Sequence, residues 1–339
     1  MIQSMMRVIE IAGAGGPEAL RYAERPIPAP GPGEVRIKTS AIGINRPDIQ
    51  QRRGLYPPPS DANDLPGLDI AGTIDAIGSD VDTRTPGQAV CALTNGGGYA
   101  QYCCVPAVQT MPVPRGLTLV EAASLPEVFF TAWNNVVMLA RFARSETLLI
   151  QGGSSGVGLA AIQIARRLFE GSVIVTASSE EKRQLCRDFG AAHAVDYRDP
   201  DWANKVREIT GGEGVDVILD GQAGPYTQPE LDLLKPDGRL VLIASHLGKS
   251  AEVNLNDIVR RRLTLTGSTL RPRPPHYKGA IASQLVEWVW PLLESGEIRT
   301  HIHQVFDFED MRLAHALMDS NAQMGKVVVR LDDERLSLF

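Results

Sequence analysis

Leu148-Leu149-Ile150-Gln151-Gly152-Gly153-Ser154-Ser155-Gly156-Val157-Gly158 carries an apolar strand into a glycine turn and straight on into a stretch of helical period that ends near Phe169. Glycines delivered by a strand to a helix N-terminus let backbone N–H groups approach a pyrophosphate, where the helix dipole favours negative charge. A P-loop would need Gly-Lys-Ser/Thr, and Gly158 is followed by Leu159-Ala160. The turn is therefore read as a dinucleotide cradle, with Gly153, Ser154, Ser155, Gly156, Val157 and Gly158 as its contacts.

Working outward, short apolar runs at 147–151, 173–177, 194–197, 215–220, 239–244 and 263–267 alternate with helical stretches at 157–169, 180–189, 201–210 and 229–234. Six strands with crossover helices make a doubly wound parallel sheet, so the fold class is α/β with a Rossmann domain. The next strand tip bears on the nucleotide. Enzymes that prefer NAD usually place an acid about 20 residues on, to hold the ribose 2'-hydroxyl. Here Ala177 stands nineteen residues after Gly158, followed by Ser178, Ser179 and Lys182. Ser178 and Ser179 also read as helix caps, and Lys182 as a solvated helix residue. With no carboxylate to repel a 2'-phosphate and a cation to hold it, NADPH is the expected cofactor.

The residues before this unit read differently. Pro26, Pro28, Pro30 and Pro32 punctuate a turn, after which Gly33-Glu34-Val35-Arg36-Ile37-Lys38 alternates apolar and polar positions as a half-buried strand does. Further short runs at 70–74 and 88–93 suggest a compact, mostly β domain. Beyond Ser268 the pattern breaks at Arg271-Pro272-Arg273-Pro274-Pro275; a helix is expected over 278–295 and a last strand over 326–331. This tail is too short to fold alone and is expected to return to the first domain. The domains are then nested, 1–127 with 269–339 around 128–268.

Composition narrows the function. With 339 residues, 34 basic against 40 acidic side chains and a formal net charge of -6, the chain has no broad cationic footprint for nucleic acid or an anionic membrane. No apolar stretch approaches the roughly 18 residues of a membrane span, and Met1 to Glu10 lacks a signal-peptide apolar region, so a cytoplasmic protein is expected. Cys91, Cys103, Cys104 and Cys186 form no C-x-x-C pair and are read as reduced, with the adjacent pair facing opposite sides of a strand. A short-chain reductase would begin at its glycine turn and need Tyr-x-x-x-Lys. About 145 residues precede this turn, and none of the seven tyrosines has Lys four positions on.

Several motifs in order carry a resemblance: Gly43-Ile44-Asn45-Arg46-Pro47-Asp48, Arg53-Gly54-Leu55-Tyr56-Pro57-Pro58-Pro59, Pro66-Gly67-Leu68-Asp69-Ile70-Ala71-Gly72, Gly96-Gly97-Gly98-Tyr99-Ala100-Gln101-Tyr102, Ser124-Leu125-Pro126-Glu127, the glycine turn, and Met324-Gly325-Lys326-Val327-Val328. Over nearly its whole length the chain resembles the zinc-free quinone oxidoreductases of the medium-chain dehydrogenase/reductase superfamily, and within them the p53-inducible group. The resemblance implies a GroES-like, mostly β catalytic domain beside the Rossmann domain, and a homodimer joined through an edge strand near 263–267. Zinc-dependent alcohol dehydrogenases of the superfamily place a Cys where this chain has Asn45 and a Gly-His-Glu where it has Gly67-Leu68-Asp69. Leu68 cannot bind zinc and an Asn amide is a poor ligand, so no metal is expected.

The expected reaction is hydride transfer from NADPH to a quinone or similar conjugated carbonyl. By resemblance, Asn45 and Tyr56 line the acceptor pocket and donate hydrogen bonds to the quinone oxygens. Thr131 is placed near the nicotinamide carboxamide, Lys182 and Tyr197 near the adenosine 2'-phosphate, and Arg271 and Lys326 near the cofactor or the closing segment. Other readings stay open: reduction of enone or alkenal double bonds, or a non-catalytic NADPH-binding role like that of crystallin and RNA-binding relatives. Against RNA stand the net acidity and the lack of an aromatic-plus-basic motif.

Overall fold

The strand that begins at Glu34 continues to Ile44 and is the spine of the first of two units. The computed structural model describes residues 4–60 and 62–331. One unit is Met1–Phe130 with Arg271–Phe339 and the other is Thr131–Leu270. The expectation that residues 1–3 and 332–339 join the first domain lies outside the described residues. Among those described, no helix is long and apolar enough to cross a membrane.

In chain order the first unit opens with β1 (Met5–Ile11) and β2 (Leu20–Pro26), an antiparallel pair. Then come β3 (Glu34–Ile44), α1 (Arg46–Arg52), β4 (Asp69–Ile77), β5 (Ala89–Leu93), β6 (Tyr102–Pro106) and β7 (Thr110–Pro112). Two short helices, α2 (Leu119–Ala122) and α3 (Pro126–Ala132), lead onward. On β3, Val35 and Ile37 are fully buried while Lys38 is exposed, the two-residue period of a strand with one face on a core. On β6 the same period buries Cys103 and leaves Cys104 half-buried.

The second unit alternates strand and helix: β8 (Thr147–Ile150), α4 (Gly156–Phe169), β9 (Ser172–Thr176), α5 (Glu180–Asp188), β10 (His193–Val195), α6 (Trp202–Ile209), β11 (Val215–Asp220), α7 (Thr227–Leu233), β12 (Leu234–Leu242), α8 (Leu255–Arg261) and β13 (Thr264–Gly267). The sheet order is β10-β9-β8-β11-β12-β13 and every pairing is parallel. Strand order reverses between β8 and β11, the switch point beside which such sheets bind ligands at the carboxyl ends of their strands. α8 gave no periodic signal because it buries none of its residues. β12 starts five residues before the expected 239, entering through a bulge against β11.

The chain then returns to the first unit. The single helix expected over 278–295 is two, α9 (Pro275–Trp288) and α10 (Trp290–Glu294). Pro291 has no N–H to continue the first helix, so the axis breaks at Val289. β14 (Ile302–Asp307), α11 (Met311–Ser320) and β15 (Lys326–Arg330) complete the fold. β15 pairs antiparallel with β3 and parallel with β14, giving the order β14-β15-β3-β4-β5-β7, with β6 also on β3. Fully buried Val327 and Val329 tie this last strand to a core that includes Ile42, Ile70, Tyr99 and Met311.

Candidate active site

In the second unit the turn between β8 and α4 is held open by few atoms. The Gly153 N–H donates to the Thr176 carbonyl at 2.9 Å, and Ser155 caps α4 by accepting the Gly158 N–H on Oγ at 3.0 Å. A Cβ at Gly158 would lie 2.4 Å from the Gly153 carbonyl oxygen, so only glycine lets helix and turn close together. The first N–H groups of a helix have no intrahelical partner, and here they begin at Gly156, after a turn in which a Cβ at Gly152 would meet nothing within 4 Å. The parallel pair β10 and β9 ends at Val195 opposite Thr176, so Tyr197 and Ser178, each two residues further on, leave the sheet at the same end, Ser178 one residue before the Ser179 cap of α5. Burial lowers the Lys182 pKa, and the side chain rises from the first turn of that helix. Glycine cradle, Ser178, Lys182 and Tyr197 thus share one end of one sheet, and these residues fit a phosphorylated dinucleotide. Thr131 stands at the start of the unit, its carbonyl accepting from Asn135 Nδ2 at 2.7 Å.

The first unit gathers charge instead. Strand register does the gathering: Val327 pairs with Ile44, which sets Lys326 against Asn45, and Asp69 pairs with Gly43. Lys326 Nζ donates to Asn45 Oδ1 at 2.6 Å and to Asp69 Oδ2 at 2.8 Å. Asn45 Nδ2 donates to Asp69 Oδ2 at 2.9 Å and to the Gly43 carbonyl at 3.2 Å. The other oxygen, Asp69 Oδ1, accepts the Glu127 backbone N–H at 2.7 Å. All three residues are at most 5% exposed. The amide orientation follows from chemistry, since an ammonium can only donate and a carboxylate only accept. At Gly43 a Cβ would come 2.9 Å from the Asp69 Cβ and 2.3 Å from the Ala123 carbonyl, so the close approach of these elements needs glycine.

Around this triad lie Asp48 and Glu127, which sequence reasoning did not assign to a site, and Arg271, which it placed near the cofactor or the closing segment. Asp48, in the first turn of α1, accepts the Asn45 backbone N–H at 2.8 Å; burial, opposed by that bond and aided by the charge of Asp69, pushes its carboxyl up to about 7. Burial and then Asp69 push Glu127 up to about 8. Arg271 is locked: Nε and Nη2 donate to the Asn95 carbonyl at 3.1 and 3.0 Å, Nη1 to Gln51 Oε1 at 2.8 Å, and its guanidinium lies 5.7 Å from the centre of the Tyr56 ring. Fully buried Lys278 donates to Asn95 Oδ1.

Behind Asp48 runs a directed chain of donors. Burial, with the Arg52 charge beside it, takes His315 down to about 3, so the ring is neutral. Arg52 Nη1 can only donate, to Nδ1 at 3.2 Å, so the ring proton sits on Nε2 and is given to Tyr99 Oη at 2.8 Å. The Tyr99 hydroxyl in turn faces Asp48. Of the residues expected at the site, Asn45, Tyr56, Arg271 and Lys326 belong to the first unit, and Thr131, the glycine turn, Ser178, Lys182 and Tyr197 to the second. Asp69 and Glu127 stand inside the motifs of the resemblance; the signal that could have found Asp69 is its place after Leu68, the position the zinc enzymes give to Glu.

Comparison with known proteins agrees with this architecture. An alcohol dehydrogenase GroES-like domain matches residues 31–115, and a zinc-binding dehydrogenase domain matches residues 156–286. The quinone oxidoreductase of Rattus norvegicus is 31% identical over 333 residues, covering 97% of this chain and 99% of its own. A mycobacterial protein solved in complex with NADPH superposes with a TM-score of 0.86 at 31% identity, over 96% of this chain and all of that one. The JamJ enoyl reductase also superposes with a TM-score of 0.86, at 26% identity over 97% of this chain and 100% of that one. The zinc in the second domain's description does not suit the residues present: Leu68 has no donor atom, the Asn45 amide is committed, and the Lys326 ammonium stands between Asn45 and Asp69. Identity of 31% across almost the whole of both chains, on the same pair of domains, makes this chain a member of the quinone oxidoreductase family of the medium-chain dehydrogenase/reductase superfamily.

Proposed function

We propose that the protein is an NADPH-dependent quinone reductase that works without a metal, as a cytoplasmic homodimer. The observation that carries this reading is the Lys326 ammonium seated between Asn45 and Asp69, two residues of the motifs in which the zinc enzymes of the superfamily carry a Cys and a Gly-His-Glu. Without a strong Lewis acid the natural acceptor is a carbonyl already poor in electrons, as a quinone is. Ser154, Ser155 and the N–H groups of Gly156 and Val157 hold the pyrophosphate, and Ser178, Lys182 and Tyr197 hold the 2'-phosphate, because no carboxylate stands at Ala177 to repel it. NADPH, when bound, supplies the hydride. Tyr56 offers the acceptor a ring face and a hydroxyl, while Arg271, itself held by Gln51, lies over that ring.

The test is steady-state turnover of NADPH with simple ortho- and para-quinones, before and after dialysis against a chelator, beside a panel of enones and alkenals. Quinone turnover unchanged by the chelator is expected, and loss of activity would overturn the metal-free reading. The likeness to the enoyl reductase makes the panel the decisive arm for the acceptor: enones turned over faster than every quinone would assign the protein to double-bond reduction instead.

A further inference from the structure

We propose that Lys326 is the group that meets the negative charge developing on the acceptor oxygen, and that Asn45 and Asp69 position it rather than bind the acceptor themselves. The inference rests on the reading above that a carbonyl acceptor is reduced at this site. A primary amide has two N–H donors, and both of Asn45's are spent, on Asp69 Oδ2 and on the Gly43 carbonyl. Asn45 therefore has no proton left to offer a quinone. An ammonium has three, and Lys326 spends two, on Asn45 Oδ1 and Asp69 Oδ2; its third meets no acceptor among the described residues. The two acceptors hold Nζ from β3 and β4 while its own stem begins on β15, so the charge cannot swing away to bulk water. A buried, pre-oriented cation of this kind costs no reorganisation when an oxyanion appears beside it. In the reaction two electrons and one proton reach the quinone as hydride and the cofactor is oxidised. The second proton comes from solvent, and Lys326 supplies the hydrogen bond and charge that stabilise the oxyanion in between.

The test uses the full-length protein with Lys326→Met and Lys326→Arg. Removing one oxyanion donor typically costs about a hundredfold in kcat, and that loss is expected for Met with partial recovery for Arg. The dissociation constant of NADPH, read by fluorescence, should stay within about twofold, because the lost group faces the acceptor. Across a series of para-benzoquinones the loss should grow as the quinone becomes harder to reduce. An independent readout is 4-nitrophenol, whose coloured phenolate mimics the oxyanion: bound to the wild-type protein it should titrate at lower pH than in water, and Lys326→Met should abolish that shift. Equal loss across all quinones with an unchanged nitrophenol titration would overturn the proposal, as would NADPH binding lost with kcat kept. Should the unpaired Asp69 prevent folding, Lys326→Met with Asp69→Asn removes the orphan charge and carries the same readouts. A wild-type protein that reduces no quinone would sink the quinone reading alone, since the nitrophenol titration still reports on Lys326.

Discussion

Asp48 and Glu127 hold their protons at pH values where an exposed carboxyl has lost them, up to about 7 and about 8. In the unfolded chain both titrate near the ordinary value of about 4. Between that value and about pH 8 the folded protein binds more protons than the unfolded one, so their contribution to stability is full below the unfolded value and is lost as pH rises through the folded one. Urea midpoints should therefore fall from about pH 5 to about pH 8, and Glu127→Gln should flatten that decline; a wild-type profile with no decline would show that burial does not raise these two carboxyls. At the other site, Lys182→Glu puts a carboxylate at the expected 2'-phosphate position. The Michaelis constant for NADPH should rise at least about tenfold, as loss of a charge-assisted contact requires, while that for NADH stays nearly constant. Equal changes for both cofactors would remove Lys182 from that site. Single residues of this kind were legible because absence is legible: no fold could give Leu68 a donor atom or Ala177 a carboxylate.

At the scale of elements, regular alternation read well and irregular joints did not. β8 and α4 carry their own signals, strand period, glycines and a serine cap, within one continuous stretch. The break between α9 and α10 and the early start of β12 depend on a proline's missing N–H and a bulge against a neighbouring strand, and no window of hydropathy contains the second. β13 is an edge strand of the parallel sheet, paired on one side with β12. On and beside it Leu265, Val259 and Leu255 are 39%, 74% and 68% exposed, an apolar strip next to an open strand edge. Such an edge invites pairing with another strand. A second copy of the chain is the expected partner, so sedimentation should report a dimer, and Val259→Glu with Leu265→Lys should yield a folded monomer. A wild-type monomer at micromolar concentration would rule this edge out as a stable interface.

Across the whole molecule, the sequence by itself determined the α/β class, the Rossmann unit with its dinucleotide turn, and the absence of a zinc-ligating side chain at Leu68. Each of these is written in neighbouring residues or in the identity of a single one, so the period of a strand or the donor count of a side chain suffices. Only the tertiary structure decided who meets whom in the first unit. Lys326 reaches Asn45 across 281 positions and Asp69 across 257, distances over which no local pattern speaks. The pairing is fixed by the register of β15 on β3, which buries Val327 and Val329 in the shared core and Val328 on the other face; a slip of one residue would turn Lys326 to the face away from Asn45. The same burial that chooses the register also draws the ammonium, the amide and the carboxylate out of water together. What reads in the chain as a lysine following a glycine is, once folded, a fixed cation.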